Sequence, residues 1–242
     1  MTNRFAQTCQ VAFLTPWSLS LESVVQRLHD VLIGSFFLVM VTVGCVGAAM
    51  CDQAAAQAMR LIGDQSFIGP EYIILGFEEY GPLIVSLAFA SRVGAGFAAE
   101  VATLQSEQTL DALEIFGAKP SHLLLAPMGI ACVVGCTALG LFSVVTWEVS
   151  GMLTMSIRHQ VNVFTFFRPD AVSLSSITLC VSKCALFGLA VFLSSLRAGL
   201  SSGVGSEEIG HATTKGVVWS AVTCLAINLL LDLIWFSARG NI

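Results

Sequence analysis

Long stretches of this chain carry no charged side chain, and they restrict its fold more than any other feature. The first such stretch lies between Asp30 and Asp52. Its 21 residues match the roughly 20 that an α-helix needs to cross the hydrocarbon core of a bilayer. Because only 11% of the residues are charged and 55% are hydrophobic, a soluble globule would have too little polar surface. We therefore predict an all-α integral membrane protein, with residues 1–242 forming one domain.

Further apolar stretches predict four more membrane spans, which makes five in all. The predicted spans cover residues 30–59, 72–103, 121–148, 171–198 and 212–238. The segments between them are richer in Gly, Pro, Ser and charged residues, as is usual for loops. Ser206, followed by Glu207 and Glu208, resembles a helix N-cap with acidic residues in the first turn, so a helix should begin there.

Residues 1–29 precede the first span and mix aromatic and aliphatic side chains with charged ones. Phe13 and Trp17 occur in the same segment as Arg4 and Glu22. Such a segment is too polar to cross a bilayer but aromatic enough to lie along its surface. We expect an interfacial elbow helix here. With the amino terminus placed in the cytoplasm, the basic residues on the two sides are nearly balanced, so the positive-inside signal is weak.

A short acidic segment, residues 104–120, separates the second and third spans. Glu107, Asp111 and Glu114 recur at helical spacing, and Leu110, Ala112, Leu113 and Phe116 are expected on the opposite side. The pattern predicts an amphipathic helix whose acidic stripe faces the cytosol while its apolar side stays on the helix bundle. The alternative is a solvated loop, since clusters of charge are most often solvated.

Small residues recur every four positions along the second span. The stripe comprises Ser86, Ala90, Gly94, Ala98 and Ala102. Small side chains at this spacing let another helix backbone approach closely, so we expect the stripe to be a helix-packing surface.

Several charged residues interrupt the predicted spans. A charge near the bilayer centre costs about 2.5–3.5 kcal/mol on insertion scales, so those deep in a span must pair or face water. We favour functional roles for the charges in the fourth and fifth spans, although helix pairing and topology remain possible. The interrupting residues are Glu78, Glu79, Arg92 and Glu100 in the second span, Lys183 in the fourth and Asp232 in the fifth.

Motifs spread from the second span nearly to the end of the chain resemble one known family. They are Glu79-Tyr80-Gly81-Pro82, Phe89-Ala90-Ser91-Arg92-Val93-Gly94-Ala95, Ala98-Ala99-Glu100, Glu107-Gln108, Asp111-Ala112-Leu113-Glu114, Phe116-Gly117-Ala118-Lys119-Pro120 and Gly210-His211-Ala212-Thr213-Thr214-Lys215. These residues resemble the permease subunit of the Mla-type phospholipid ABC transporters. That family is related to the permeases that accompany mammalian-cell-entry (MCE) proteins and to the chloroplast lipid importer.

The resemblance implies a homodimeric permease whose coupling helix, residues 104–120, docks on a cytosolic ABC ATPase. Gly117 and Pro120 match the residues that terminate this helix in the family, since glycine adopts the left-handed conformation and proline cannot continue a helix. The residues that the resemblance assigns to ATPase coupling are Glu107, Asp111, Glu114, Phe116, Gly117, Lys119 and Pro120.

The resemblance also implies a phospholipid substrate, a periplasmic MCE-domain partner and a multi-pass location in the inner membrane of a diderm bacterium. The family usually has Arg-Glu before the Gly-Pro of the second span, whereas this chain has two acids there. We expect both acids to lie with Asp232 at the periplasmic mouth. The candidate lipid-path residues are Glu78, Glu79, Tyr80, Leu83, Lys183 and Asp232.

Other classes of function have little support in the sequence. No GxxxxGK[ST] motif occurs, so we expect no cofactor on this chain, with ATP and Mg²⁺ bound by a separate subunit. The histidines and cysteines lack catalytic or zinc-binding spacing, and no basic patch suggests nucleic acid. We therefore expect a transporter subunit with no enzymatic activity and no metal site. Two alternatives remain open, an ion-coupled secondary transporter that uses Lys183 and Asp232, and a membrane scaffold.

Overall fold

The structure is a computed structural model that describes residues 21–65, 68–116, 124–162, 166–167 and 169–239. Five helices in these regions are long and apolar enough to cross a membrane, which confirms the prediction of an all-α protein with five spans. The helices are α1 (Leu21–Leu61), α2 (Ile68–Ser106), the short α3 (Thr109–Ile115), α4 (Ala126–His159), α5 (Leu174–Leu200) and α6 (Ser206–Arg239).

Helix α1 extends further toward the amino terminus than the predicted first span. Residues 21–29, which we expected in a separate interfacial element, form the first turns of the same helix. The physical reason is that neither Gly nor Pro occurs between residues 21 and 33, so nothing in the local sequence interrupts the helix. Residues 1–20 of the predicted elbow lie outside the described residues.

Two five-residue π-helical turns interrupt α2, at Gly76–Tyr80 and at Ala90–Gly94. In the first, the Gly81 N–H donates to the Gly76 carbonyl oxygen, the i→i−5 bond of a π-helix. A Cβ at Gly81 would lie 2.4 Å from that oxygen, so the turn requires glycine there. Pro82 follows directly. It has no backbone N–H, so it cannot donate the hydrogen bond that a helical residue gives to a preceding carbonyl oxygen.

Helix α3 is shorter than the predicted acidic helix. Gln108 has a φ of 56°, and this left-handed residue ends the continuity between α2 and α3. Glu107 therefore lies in the connecting turn, and the prediction of one helix over residues 104–120 that includes it is wrong. Gly117, Lys119 and Pro120, the predicted end of this helix, lie outside the described residues.

The chain forms two compact units. The first, unit 1, contains the described residues within 1–35, 89–136 and 185–242; the second, unit 2, contains those within 36–88 and 137–184. Helix α6 lies entirely in unit 1 and begins at Ser206, with Glu207 and Glu208 in its first turn, as we predicted.

Close helix packing through small residues characterises unit 1. A Cβ added to Gly216 of α6 would lie 2.6 Å from the Ala98 Cβ of α2, and one added to Gly199 of α5 would lie 2.6 Å from the Val101 Cβ. Contacts this short leave no room for a larger side chain. Helices α5 and α6 therefore approach α2 almost backbone to backbone.

In unit 2, polar contacts link α1 to the last residues of α4. Asp52 of α1 accepts from His159 Nε2 at 3.1 Å and forms an ion pair with Arg158, whose Nε lies 3.2 Å away, which joins α1 to the last residues of α4. The Cys51 thiol is directed at the Gly151 carbonyl oxygen, 3.6 Å away. Helix α4 continues past its predicted span, which ended at residue 148, and these contacts hold its extension against α1.

Candidate functional site

A polar cluster in unit 2 joins the first π-turn of α2 to helix α5. The Lys183 side chain is fully buried, and its Nζ donates to the carbonyl oxygen of Glu78 at 2.7 Å. The Glu78 carboxylate accepts from the Ser176 hydroxyl, also at 2.7 Å. Thus Glu78 contacts α5 through both its backbone and its side chain. The structure brings together two of the predicted lipid-path residues, Glu78 and Lys183, which are 105 residues apart in sequence.

The start of α5 determines where Ser176 lies. The Ser173 hydroxyl accepts from the Ser176 backbone N–H at 3.2 Å, which satisfies one of the unpaired donors at the helix N-terminus. The same hydroxyl lies 2.9 Å from the Ser176 hydroxyl. Ser176 is itself 2% exposed, so its hydroxyl is held against Glu78 in an environment with little water.

An aromatic stack supports the residues around the first π-turn. Trp147 of α4 is stacked between Tyr72, with ring centroids 4.8 Å apart, and Tyr80, at 5.3 Å. The Trp147 Nε1–H donates to the Tyr72 carbonyl oxygen at 3.1 Å. A Cβ at Gly76 would lie 2.5 Å from the indole ring, so glycine makes room for the stack within the π-turn. Trp147 therefore fixes the face of the turn that carries Tyr80.

The other predicted lipid-path residues differ in their surroundings. Glu79, Tyr80 and Leu83 are half-buried in unit 2. Asp232 belongs to unit 1, where its carboxylate accepts from the Asn228 side-chain amide at 2.7 Å, one helical turn earlier in α6. That Asp232 shares a periplasmic mouth with Glu78 and Glu79 stays a prediction.

In unit 1, the two charged residues of α2 have different contacts. Glu100 accepts two hydrogen bonds from the Arg27 guanidinium of α1, at 2.6 and 2.9 Å, so this acid is paired as a membrane charge must be. Arg92 lies in the second π-turn and is exposed. Its Nη2 lies 2.7 Å from the position that a Cβ on Gly34 would occupy, which means that the guanidinium lies directly on the α1 backbone.

The surface of α3 is more apolar than we predicted. Ile115 and Phe116 are 84% and 86% exposed, and Ala112 is also exposed, whereas Leu110 is buried and Asp111 is half-buried. The expectation that Ala112 and Phe116 stay on the bundle is wrong. Ile115, the last residue of α3, and Phe116, directly after it, therefore both lie at the surface. Beyond its amino-terminal end, the Gly205 N–H donates to the Ser106 hydroxyl at 3.2 Å, linking the α5–α6 loop to the end of α2.

The small-residue stripe of α2 is buried throughout its length. Ser86, Ala90, Ala98 and Ala102 have no exposed surface, and Gly94 is also buried. In unit 1, a Cβ at Gly94 would meet Val191 at 3.3 Å, Ser195 at 3.4 Å and Ser220 at 3.5 Å. This part of the stripe therefore packs on α5 and α6, whereas the Ser86 hydroxyl donates to the Leu83 carbonyl oxygen.

Sequence reasoning did not identify several residues of these clusters. Asn228 precedes Asp232 by one helical turn, a spacing that could have suggested the pair. Arg27 was assigned to the elbow without its partner Glu100, and no local pattern relates Ser176 or Trp147 to the Glu78 turn. Within the part of the chain that the structure describes, no group of three or more His, Cys, Asp or Glu residues could hold a metal ion.

Five membrane-crossing helices define a multi-pass membrane protein, in which a buried lysine is bound to an interrupted helix and a short helix follows the second span. The chain belongs to the family described as Permease MlaE, whose model matches residues 24–234. It is therefore a permease subunit of the ABC transporter class, which favours that function over the secondary transporter and the scaffold.

Similar proteins in other organisms carry consistent names. A probable ABC transporter permease protein of Synechocystis is 26% identical over 209 residues, covering 86% of this chain and 79% of its own. One of Rickettsia prowazekii is 27% identical over 220 residues, covering 90% and 85%. The chloroplast protein TRIGALACTOSYLDIACYLGLYCEROL 1 of Arabidopsis thaliana is 28% identical over 202 residues, covering 81% of this chain and 56% of its own.

Proposed function

We propose that this permease moves phospholipid between the cytoplasmic membrane of a diderm bacterium and a periplasmic MCE-domain carrier, and so maintains outer-membrane lipid asymmetry. Two copies of the chain would form the transport pathway, and a cytosolic ABC ATPase would bind ATP and Mg²⁺. The observation that carries the proposal is the fully buried Lys183 bound to the Glu78 turn. A buried ammonium is costly and is retained in a membrane protein chiefly where it binds something.

The chemistry of this cluster suits an anionic lipid head group. Lys183 supplies a positive charge at the Glu78 turn, and the following residues of α2, Glu79, Tyr80 and Leu83, are half-buried and offer both polar and apolar surface. Phosphate is a good partner for an ammonium group, which acts as a point charge. Because Glu78 is an acid where the family usually has arginine, its role here would be to hold Ser176 and the turn in place, with Lys183 binding the phosphate.

The relatives' names lend some support to a lipid substrate. The Arabidopsis relative is named after trigalactosyldiacylglycerol, a glycerolipid, whereas the bacterial relatives are named only as permeases. Transfer of a lipid also requires an apolar path through the membrane. Asp232, with its Asn228 partner, is the second polar group that we propose along this path, near the periplasmic end of α6.

We propose that the ATPase docks on α3 and the turn before it. The exposed Ile115 and Phe116 provide an apolar anchor, and the exposed Glu107 adds negative charge at the amino-terminal end. Large apolar side chains at the centre of an interface usually contribute more binding energy than charges at its rim. Phe116 should therefore matter more for docking than the acidic residues.

Reconstitution with the ATPase and a fluorescent phospholipid tests the transport proposal. Lys183→Ala should reduce ATP-dependent lipid transfer by about tenfold or more, the loss expected for a charge-assisted bond of roughly 1.5–3 kcal/mol. Lys183→Arg should retain part of the activity because it keeps the charge. Transfer by the parental protein that is independent of ATP, or parental rates in both variants at equal protein yield, would overturn the proposal.

Pull-down of the ATPase tests the docking surface. Phe116→Glu should reduce ATPase capture several-fold while the permease stays inserted and monodisperse. The matched control is Ile62→Glu, because Ile62 is 67% exposed in the turn after α1, outside the predicted membrane spans. Equal capture by the two variants would exclude α3 as the docking site.

A further inference from the structure

Arg92 is an exposed cation within a membrane-spanning helix. Its guanidinium lies on the backbone of Gly34, where a Cβ would be 2.7 Å from Nη2 and 3.3 Å from Nε. Among the described residues, Arg92 forms no ion pair or hydrogen bond through its side chain. A guanidinium at such a location is costly unless an anion or water reaches it.

The contact with Gly34 gives the depth of the guanidinium. Gly34 follows Asp30, the last charged residue before the apolar stretch of α1, by four residues, or about 6 Å along a helix. Arg92 therefore reaches back to about one turn inside the polar boundary, as long basic side chains in membranes commonly do. Lipid phosphates and glycerol oxygens lie near this level, on the amino-terminal side of α1.

The neighbouring charges in unit 1 are already engaged with each other. Both carboxylate oxygens of Glu100 accept from Arg27. His29 and Asp30 lie 3.5 Å apart at the polar boundary. Consequently Glu100, the nearest acid to Arg92 in α2, has another partner, and the exposed Arg92 charge is open to a ligand.

The surface beside Arg92 is apolar and open. Ile33, next to Gly34, is 64% exposed. Gly96, one turn beyond Arg92 in α2, is exposed, and a Cβ added there would meet no atom within 4 Å. The guanidinium itself covers Gly34, whereas the surface at Gly96 is open. An acyl chain can lie against Ile33 while its head group reaches the arginine.

We propose that Arg92 binds the phosphate of a phospholipid from the leaflet on the amino-terminal side of α1, with an acyl chain along Ile33 and Gly96. The planar guanidinium offers two parallel N–H donors to phosphate oxygens. This site uses no residue of the Lys183 cluster, and it requires neither the ATPase nor transport. In the orientation proposed above, the leaflet is the cytoplasmic one.

Native mass spectrometry of the purified protein tests the site by counting retained lipid. The probes are dioleoylphosphatidylglycerol and dioleoylglycerol, which share acyl chains but differ in the phosphate head group. Arg92→Gln should lower retention of the phosphatidylglycerol about tenfold, as expected for loss of a charge-assisted bond. Arg197→Gln, which removes another exposed cation of unit 1, should leave retention unchanged.

Gly34→Ala provides a second variant that keeps the charge and the fold. Its Cβ would displace only the end of the flexible Arg92 side chain, so retention should fall several-fold without loss of thermal stability. A photocrosslinker at Ile33 should capture phosphatidylglycerol in the parental protein and much less in Arg92→Gln.

Four results would overturn the proposal. They are equal retention by Arg92→Gln and Arg197→Gln, equal retention of dioleoylglycerol and phosphatidylglycerol by the parental protein, competition by inorganic phosphate, and capture of a second copy of the chain in place of lipid at Ile33. The third result would indicate a site for a free anion, and the fourth would indicate a contact between protomers. Because the measurement needs no ATPase, it tests the Arg92 site even if the transport proposal fails.

Discussion

The two π-turns of α2 share a backbone conformation but differ in what surrounds them. At Gly76–Tyr80, the backbone and carboxylate of Glu78 are bound by Lys183 and Ser176, and Tyr80 is stacked on Trp147. At Ala90–Gly94, the glycine packs between α5 and α6, while Arg92 is directed outward over Gly34. The first turn forms an enclosed polar cluster, and the second combines tight packing with an exposed cation.

This difference shows that a π-turn does not determine a function by itself. The wider turn shifts the register of the helix, so that residues on either side of it point in new directions. What those residues then do depends on the neighbouring helices. In unit 2 the neighbour is the amino-terminal part of α5, which carries Ser176 and Lys183, and in unit 1 it is the glycine-containing backbone of α1.

The largest expected loss of stability distinguishes alanine substitutions at the two glycines, Gly81 and Gly94, that lie at the ends of the π-turns. Gly81→Ala should destabilise the protein by about 3 kcal/mol, because its Cβ would lie 2.4 Å from the Gly76 carbonyl oxygen, a backbone atom that cannot move aside. Gly94→Ala should cost less than about 1 kcal/mol, because its Cβ meets side chains at 3.3 Å or more. Thermal unfolding in detergent measures both. Equal losses would mean that the two turns are equally constrained.

A larger side chain should reveal the tight packing of the second turn. Gly94→Leu should destabilise by about 2 kcal/mol, within the usual range for overpacking, and should reduce the folded population more than Gly94→Ala does. Gly210→Leu is the matched control, since a Cβ at Gly210 of α6 meets no atom within 4 Å. If Gly94→Leu is as stable as Gly210→Leu, the stripe faces lipid or an open cavity at this point.

The smallest expected effect concerns the aromatic support of the first turn. Trp147→Phe removes the hydrogen bond to the Tyr72 carbonyl oxygen and should cost about 1 kcal/mol. Trp219→Phe should have no measurable effect on stability, because Trp219 is 61% exposed. A loss in both variants, or in neither, would show that the stack around Trp147 does not support the turn.

Much of the fold was predictable because the length of an apolar stretch is a local property. The uncharged residues between Asp30 and Asp52 and the start of α6 at Ser206 could be found without any partner. The acidic segment was harder. A helical pattern continued through Gln108, but the left-handed conformation of that residue shortened α3 and exposed Phe116. Periodicity alone does not show where a helix is interrupted.

The candidate sites were predictable only in part. The cost of charge in a membrane identified Glu78, Lys183, Arg92 and Glu100 as residues that need partners, since this cost depends on residue type and position alone. Which partners they have was not predictable. Glu78 and Lys183 are 105 residues apart, and Arg27 and Glu100 are 73 apart, so no local spacing relates them.

The amino-acid sequence by itself determined the membrane class, the number of spans and the small-residue stripe, because hydrophobic length and side-chain size act within one helix. Only the tertiary structure decided that Lys183 binds the carbonyl of Glu78, that Glu100 pairs with Arg27 and that Arg92 lies on Gly34. These outcomes depend on which helix faces which and at what register. Two π-turns alter that register within α2, and Gly81 and Pro82 account for the end of the first one only.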